Sequence, residues 1–363
     1  MNILFSFFIP SGGVETLNRQ RYYALSPRNI NCHFLYLQSG TGLQNKIDAP
    51  IFVTNNPVEI KEIIKKGNYD AIVVNSDLEV LKIINESDYS GLVIYENQGL
   101  GKDKAYAEYF ITQYAKPILL DYCDALLYPQ TPHLIEAFEK HFPTIPKYCF
   151  HNSFNSKDFH YKKLPKSPKP IIGWVGRLEE NKNWRDFLTI GAALIKENPK
   201  INLWMFEDST LSTKNERVQF QKTVSKLQLK KHLKVFSNQP HHKMSMFFSR
   251  IGDSGGFLCS TSKVEGFGYA VLEAMVCRCP VLSTESDGVK SFIRHNITGK
   301  FYRIEDVSQG ISEAKELMTH YQLREKIRRT GVLHIKKHFS PERYADHFIM
   351  MINELKLVSK EKE

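Results

Sequence analysis

The chain has 363 residues, of which 42% are hydrophobic and 24% charged, with a formal net charge of +10. That length suits two domains of ordinary size, and the composition excludes a disordered, fibrous or collagen-like chain. The first 168 residues carry equal numbers of basic and acidic side chains, so the whole positive excess falls on residues 169–363. An anionic ligand there is one explanation; no dense basic run with interleaved aromatics supports nucleic acid as another.

Residues 3–9 form a short apolar run without a basic leader that passes into Pro10-Ser11-Gly12-Gly13. It fits neither a signal peptide nor a membrane span and reads as a buried first strand. Runs of strand length follow at 32–37, 71–75, 92–95 and 125–128, each ahead of a polar turn or a helical pattern. Such βα alternation predicts a parallel sheet covered on both faces. Residues 102–120 carry the aromatic stripe Tyr106, Tyr109, Phe110 and Tyr114. It suits core, an acceptor-cleft wall or a membrane-surface helix, and the neutrality of this half weighs against the membrane. The proline- and lysine-rich stretch 143–169 reads as a linker.

Alternation begins afresh at 171–175, 202–206, 234–236, 256–259 and 280–283, with helical patterns at 184–196 and 215–227. Tyr344, Phe348, Met351 and Leu355 then recur near helical spacing ahead of a charged tail, which predicts a helix packed on a domain surface. The expectation is an α/β protein of two Rossmann-like, doubly wound domains, residues 1–160 and 161–340. Residues 341–363 supply a last helix, packing back on the first domain, and a tail. Ligands of such sheets bind outside the carboxyl ends of the strands, and two such domains facing one another form a cleft. The six cysteines lack metal or disulfide spacing and read as reduced, buried thiols of a cytoplasmic protein. His334 and His338, four apart, lack a third ligand and read as solvated or packed, so no metal is expected.

Two segments carry chemistry. In Ser262-Lys263-Val264-Glu265-Gly266-Phe267-Gly268-Tyr269, the glycines permit a tight turn, and a helix starting near Tyr269 would aim its free amides and positive dipole end at an anion. Glu265 and, eight residues on, Glu273 are placed to accept hydroxyls of one ligand, the first near a hexose and the second near a ribose. The plainer alternative is a bare βα turn with a solvated Glu273. In Gly173-Trp174-Val175-Gly176-Arg177-Leu178-Glu179-Glu180-Asn181-Lys182, Arg177 and Lys182 fall in the loop at a strand's carboxyl end. Two cations there suit a pyrophosphate whose charge grows as it leaves, the alternative being surface cations beside Glu179 and Glu180.

Gly-Arg-Leu followed by Lys182, the Glu-Gly-Phe-Gly loop with Glu273, Pro280-Val281-Leu282, Gly288 and Asn296-Ile297-Thr298-Gly299 together resemble glycosyltransferase family 4 of the GT-B fold. Gly12-Gly13-Val14-Glu15 after the first strand and Asn152-Ser153-Phe154-Asn155 with Phe159 extend the match. The resemblance implies a retaining, metal-independent hexosyltransferase acting from a UDP- or GDP-linked sugar, with no other cofactor. Arg177, Lys182 and Glu265 would be the catalytic residues; Gly13, Phe267, Gly268, Tyr269 and Glu273 would bind donor. The acceptor implied is a glycan, a lipid-linked molecule or a small molecule, in polysaccharide or glycoconjugate assembly. Where the family usually has a histidine after the fourth strand, this chain reads Tyr95-Glu96-Asn97, so Glu15, Glu96 and Asn97 are candidate acceptor residues. Glu207 and Arg278 replace usual glycines, and Lys290-Ser291 stands where an acidic residue is common. Alternatives are a nucleotide-sugar-binding protein without transferase activity and a nucleotide-sugar 2-epimerase.

Overall fold

The computed structural model describes residues 1–99, 104–157, 159–165 and 167–360. Residues 102 and 103 of the aromatic stretch, Asp158 and Lys166 of the predicted linker and the last three residues of the tail lie outside them. The chain forms two compact units, Met1–Asn155 with Phe339–Glu363, and Ser156–His338.

In unit 1 the strands are β1 (Asn2–Phe7), β2 (Asn31–Tyr36), β3 (Ile51–Val53), β4 (Ala71–Asn75), β5 (Leu92–Glu96), β6 (Ala125–Tyr128) and β7 (Lys147–Cys149). They form one sheet of order β3-β2-β1-β4-β5-β6-β7, every pairing parallel. All five residues of β4 are buried, as a strand covered on both faces requires. The helices are α1 (Gly12–Leu25), α2 (Pro57–Gly67), α3 (Leu78–Asn85), α4 (Lys104–Phe110), α5 (Lys116–Tyr122) and α6 (Pro132–His141). A π-helical turn, Ile111–Ala115, joins α4 to α5. The C-terminal helix Pro341–Lys360 buries Tyr344, Phe348, Met351 and Leu355 in the same core as Phe5 and Phe34, and Lys356 pairs with Asp70 at 2.5 Å.

Unit 2 has β8 (Ile171–Val175), β9 (Asn202–Glu207), β10 (Leu233–Ser237), β11 (Phe257–Ser260), β12 (Val281–Thr284) and β13 (Lys300–Tyr302), in the order β10-β9-β8-β11-β12-β13, again all parallel. Its helices are α7 (Trp184–Glu197), α8 (Lys214–Lys226), α9 (His241–Asp253), α10 (Tyr269–Val276), α11 (Val307–Thr319) and α12 (Tyr321–His338).

Two expectations need correction. Residues 143–169 are not linker throughout: Lys147–Cys149 pairs with β6 as an edge strand, and Asn152, Ser153 and Phe154 are buried. Prolines at 143 and 146 obscure it in the sequence, yet an edge position tolerates their missing N–H groups. The aromatic stripe is core only in part, since Phe110 packs against the core cluster while its tyrosines do not. Tyr106, Tyr109 and Tyr114 are about half exposed, and Ile111 and Ala115 make the inward face together with Phe110. All six cysteines are free, and burial pushes the Cys32 and Cys279 thiols up to about 12. Among the described residues no helix is long and apolar enough to cross a membrane.

Helix α1 departs from an amphipathic pattern by burying Glu15, Thr16, Asn18, Arg19, Gln20 and Arg21. Arg21 lies over the Phe5 ring at 4.5 Å and pairs with Glu96 at 2.6 Å, both side chains being 1% exposed. Removing one member of such a pair leaves an uncompensated buried charge. Arg21→Ala is therefore expected to lose about 3–5 kcal/mol in denaturant unfolding, and Arg21→Met combined with Glu96→Leu to recover most of it. A double variant no better than Arg21→Ala would show the pair to be indispensable.

Candidate donor site in unit 2

The chain order of the second sheet reverses between β8 and β11, and loops leaving the carboxyl ends of strands at such a point leave room for a ligand. Residues 176–183 follow β8, and residues 261–268 follow β11. These are the two segments singled out from sequence. Buried Trp174 donates from Nε1 to Thr261 Oγ1 at 3.0 Å, and that hydroxyl donates to the Lys182 carbonyl at 2.7 Å. Asn181 clasps the other loop three times: its carbonyl accepts from Lys263 N at 2.8 Å, its Oδ1 from Val264 N at 3.0 Å, and its Nδ2 donates to the Val264 carbonyl at 3.1 Å.

This clasp brings Lys182 Nζ to 2.5 Å from Glu265 Oε1, which also accepts from Ser262 Oγ at 2.7 Å. Both side chains keep some exposure, 20% and 15%. Arg177 is freer, half exposed and 3.3 Å from Glu179. Exposed pairs of that kind are worth about 0–1 kcal/mol, so an arriving anion can recruit the guanidinium at little cost. Lys263 answers Glu180 at 3.1 Å and Lys290 answers Asp287 at 3.0 Å.

Gly268 sits at φ +86° immediately before α10, and no side chain caps the start of that helix, whose positive dipole end favours an anion. A third loop closes in from β12. Gly288 N donates to the Glu265 carbonyl at 3.0 Å, and a Cβ on Gly288 would lie 2.4 Å from that oxygen. Phe267 and Tyr269 are nearly buried and meet edge to face at 4.9 Å. They shape the turn from below, leaving main-chain groups to face a ligand.

Glu273 is the one charged residue of α10 and is 5% exposed, so it is not the solvated residue of the plainer reading. His241, the first residue of α9, holds its Oε1 through Nε2 at 2.7 Å. Sequence reasoning gave His241 no role; it lies 32 residues from its partner, and no spacing rule reaches it. The Cys277 thiol is raised far above its ordinary range by burial and stays neutral there.

The unit 1 candidates lie apart from this cluster in the chain and fall into two kinds. Gly12 adopts φ +71° at the start of α1, and a Cβ at Gly13 would meet nothing within 4 Å, so the backbone after β1 is open. Glu15, Glu96 and Asn97 are committed internally. Glu15 grips Arg19 through both oxygens at 2.6 and 3.1 Å. Glu96 accepts from Arg21, Gln98 and Asn75. Asn97 is 2% exposed and accepts from Gly99 N at 2.8 Å. The unusual residues also have structural places. Glu207 pairs with Arg217 at 2.9 Å and accepts from Ser237 at 2.6 Å, while Arg278 occupies φ +55°, the left-handed backbone that a glycine adopts more easily. Among the described residues no group of three His, Cys, Asp or Glu side chains could hold a metal ion.

Two Rossmann-like sheets, each reversing its strand order after its first strand, define a protein of the GT-B fold. Residues 155–333 match the family Glycosyl transferases group 1. It is 24% identical over 187 residues to a trehalose synthase of Thermococcus litoralis, covering 51% of this chain and 44% of the relative. It is 26% identical over 206 residues to the Alpha-1,3/1,6-mannosyltransferase ALG2 of Mus musculus, covering 53% and 47%. The chain thus spans about half the length of the curated relatives it matches. The structure of Anabaena HepE in complex with UDP and glucose superposes with a TM-score of 0.82 at 14% identity, covering 98% of this chain and 100% of that one.

Gly288→Ala drives a methyl group into the Glu265 carbonyl and must displace that loop. It is expected to weaken nucleotide diphosphate binding at least tenfold in calorimetry, while far-ultraviolet circular dichroism stays that of the wild type. Unchanged affinity would place the ligand elsewhere.

Proposed function

We propose that this protein is a retaining glycosyltransferase that moves a hexose from a UDP- or GDP-linked donor to an acceptor hydroxyl without a metal ion. The observation that carries the proposal is the convergence of Arg177, the Lys182–Glu265 pair and the uncapped start of α10 at the reversal point of the second sheet. A diphosphate seated there would meet two cations and a helix N-terminus, so its departure as an anion is stabilised more than its bound ground state. That arrangement serves the purpose a divalent cation serves elsewhere.

On this reading the acceptor oxygen forms its bond to the anomeric carbon on the face from which the diphosphate departs. The carbon–oxygen bond to phosphate breaks, and the acceptor's proton passes to the leaving phosphate oxygen. No protein base is required. Glu265, held by Lys182 and Ser262, would accept hydroxyls of the hexose, and Glu273 those of the ribose. Unit 1 is assigned the acceptor, a glycan, a lipid-linked molecule or a small molecule in polysaccharide or glycoconjugate assembly in the cytoplasm, while Gly13 keeps its expected place at the donor phosphates. A nucleotide-sugar-binding protein or a 2-epimerase would use the same donor cradle, and turnover separates them.

The test is a thermal-shift panel of UDP, GDP and their sugar conjugates in EDTA. One nucleotide at 100 times its dissociation constant is expected to stabilise the wild type by about 2.7 kcal/mol. Arg177→Ala is expected to abolish most of that shift, and Lys182→Ala to lower donor turnover by about 10²–10³-fold. Restoration of activity only by added Mg²⁺ or Mn²⁺ would refute metal independence, and the absence of any shift would refute the donor site.

A further inference from the structure

Within α10 every residue except Ala270 is buried, and Glu273 alone among them is charged. A carboxylate taken out of water needs hydrogen-bond partners for both oxygens. Glu273 has one, His241 Nε2 on Oε1 at 2.7 Å, and among the described residues nothing donates to Oε2. The imidazole is itself held from behind: the Phe159 ring, 5% exposed, lies against it with ring centroids 4.7 Å apart. Because an ionised carboxylate only accepts, the His241 Nε2 must carry the proton of this bond. The histidine therefore presents a fixed donor to one side of the carboxylate and turns the other oxygen away from itself.

We infer that His241 is a positioning residue for the nucleotide: it locks Oε1 of Glu273 so that Oε2 is the acceptor for a ribose hydroxyl of the bound nucleoside diphosphate. The inference rests on the donor site proposed above. His241 does not touch the ligand; it acts through Glu273, replacing by one short hydrogen bond the freedom the glutamate side chain would otherwise lose on binding. Phe159 belongs to the segment just before the second sheet, so the orientation of a nucleotide-binding carboxylate is set by residues from three stretches far apart in sequence.

The experiment measures, by calorimetry, the affinities of UDP and GDP and of their 2′,3′-dideoxy forms for the wild type and for His241→Ala, His241→Gln and His241→Asn, with donor KM and kcat alongside. His241→Ala is expected to weaken the ribonucleotide about tenfold, leave the dideoxy form within twofold, raise KM and leave kcat within twofold. His241→Gln, whose amide nitrogen reaches the place of Nε2, is expected to recover most of the loss, and His241→Asn, which falls short, is not. The Gln–Asn contrast decides the matter should the alanine variant fail to fold. Equal losses for the ribo and dideoxy forms, or no difference between Gln and Asn, would overturn the inference while leaving the donor site intact. Failure of the wild type to bind either nucleotide would overturn both.

Discussion

The proposed donor site depends on the way two loops from neighbouring strands are bound into one body. β8 and β11 lie side by side at the reversal of the second sheet, and a reversal point only leaves room; it does not say what fills it. Here the room is walled by the Asn181 clasp and by the chain of donors from Trp174 through Thr261 to the Lys182 carbonyl. These are partly buried hydrogen bonds, each worth about 0.5–1.5 kcal/mol net, and together they fix where the lysine side chain starts. Without them Lys182 and Glu265 would be two charged residues on two flexible turns. With them the pair is assembled before a ligand arrives, and the ordering cost is met by the fold and not by binding.

That pair also explains why the site tolerates its own charge. Lys182 and Glu265 neutralise one another at 2.5 Å, so neither stands as an isolated, half-buried charge. Arg177, by contrast, keeps its charge in solvent against a weakly held glutamate. On the proposed reading an arriving dianion would meet one mobile cation, one anchored cation and the N-terminus of α10, and only the first would have to move. The excess of positive charge beyond residue 168 has the same direction, raising the local concentration of anions around unit 2 as a whole.

Strands buried on both faces were legible in the sequence because their signal is local. Residues 71–75, 125–128 and 171–175 are continuous apolar runs, and β4, β6 and β8 coincide with them. Edge strands were not legible. Ile51–Val53 has two exposed residues of three, and Lys147–Cys149 lies among prolines, so neither shows the pattern of a core strand. The same division runs through the site. Glycine turns and the cations that follow strands announce themselves by spacing, so Arg177, Lys182, Glu265 and Gly268 could be read in order along the chain. The partners that aim them could not: Asn181, Thr261 and His241 are ordinary polar residues until the sheet brings their loops together.

Unit 1 shows how a polar pattern can mislead in the opposite direction. Glu15 follows the first strand and Glu96 ends the fifth, positions where a ligand group is expected, and as sequence they are indistinguishable from one. Both carboxylates are instead consumed by arginines of α1, Glu15 by Arg19 and Glu96 by Arg21. The reason lies in where the C-terminal helix goes. It covers the face of the sheet that carries Phe5 and Phe34 and packs beside α1, leaving that helix buried around a polar sequence that has to be satisfied from within. Buried guanidinium groups then require buried carboxylates, and the two acidic residues nearest the strand ends supply them. What remains open at the end of β1 is main chain, the Gly12-Gly13 turn, whose amide groups can face a ligand without any side chain being released from the core.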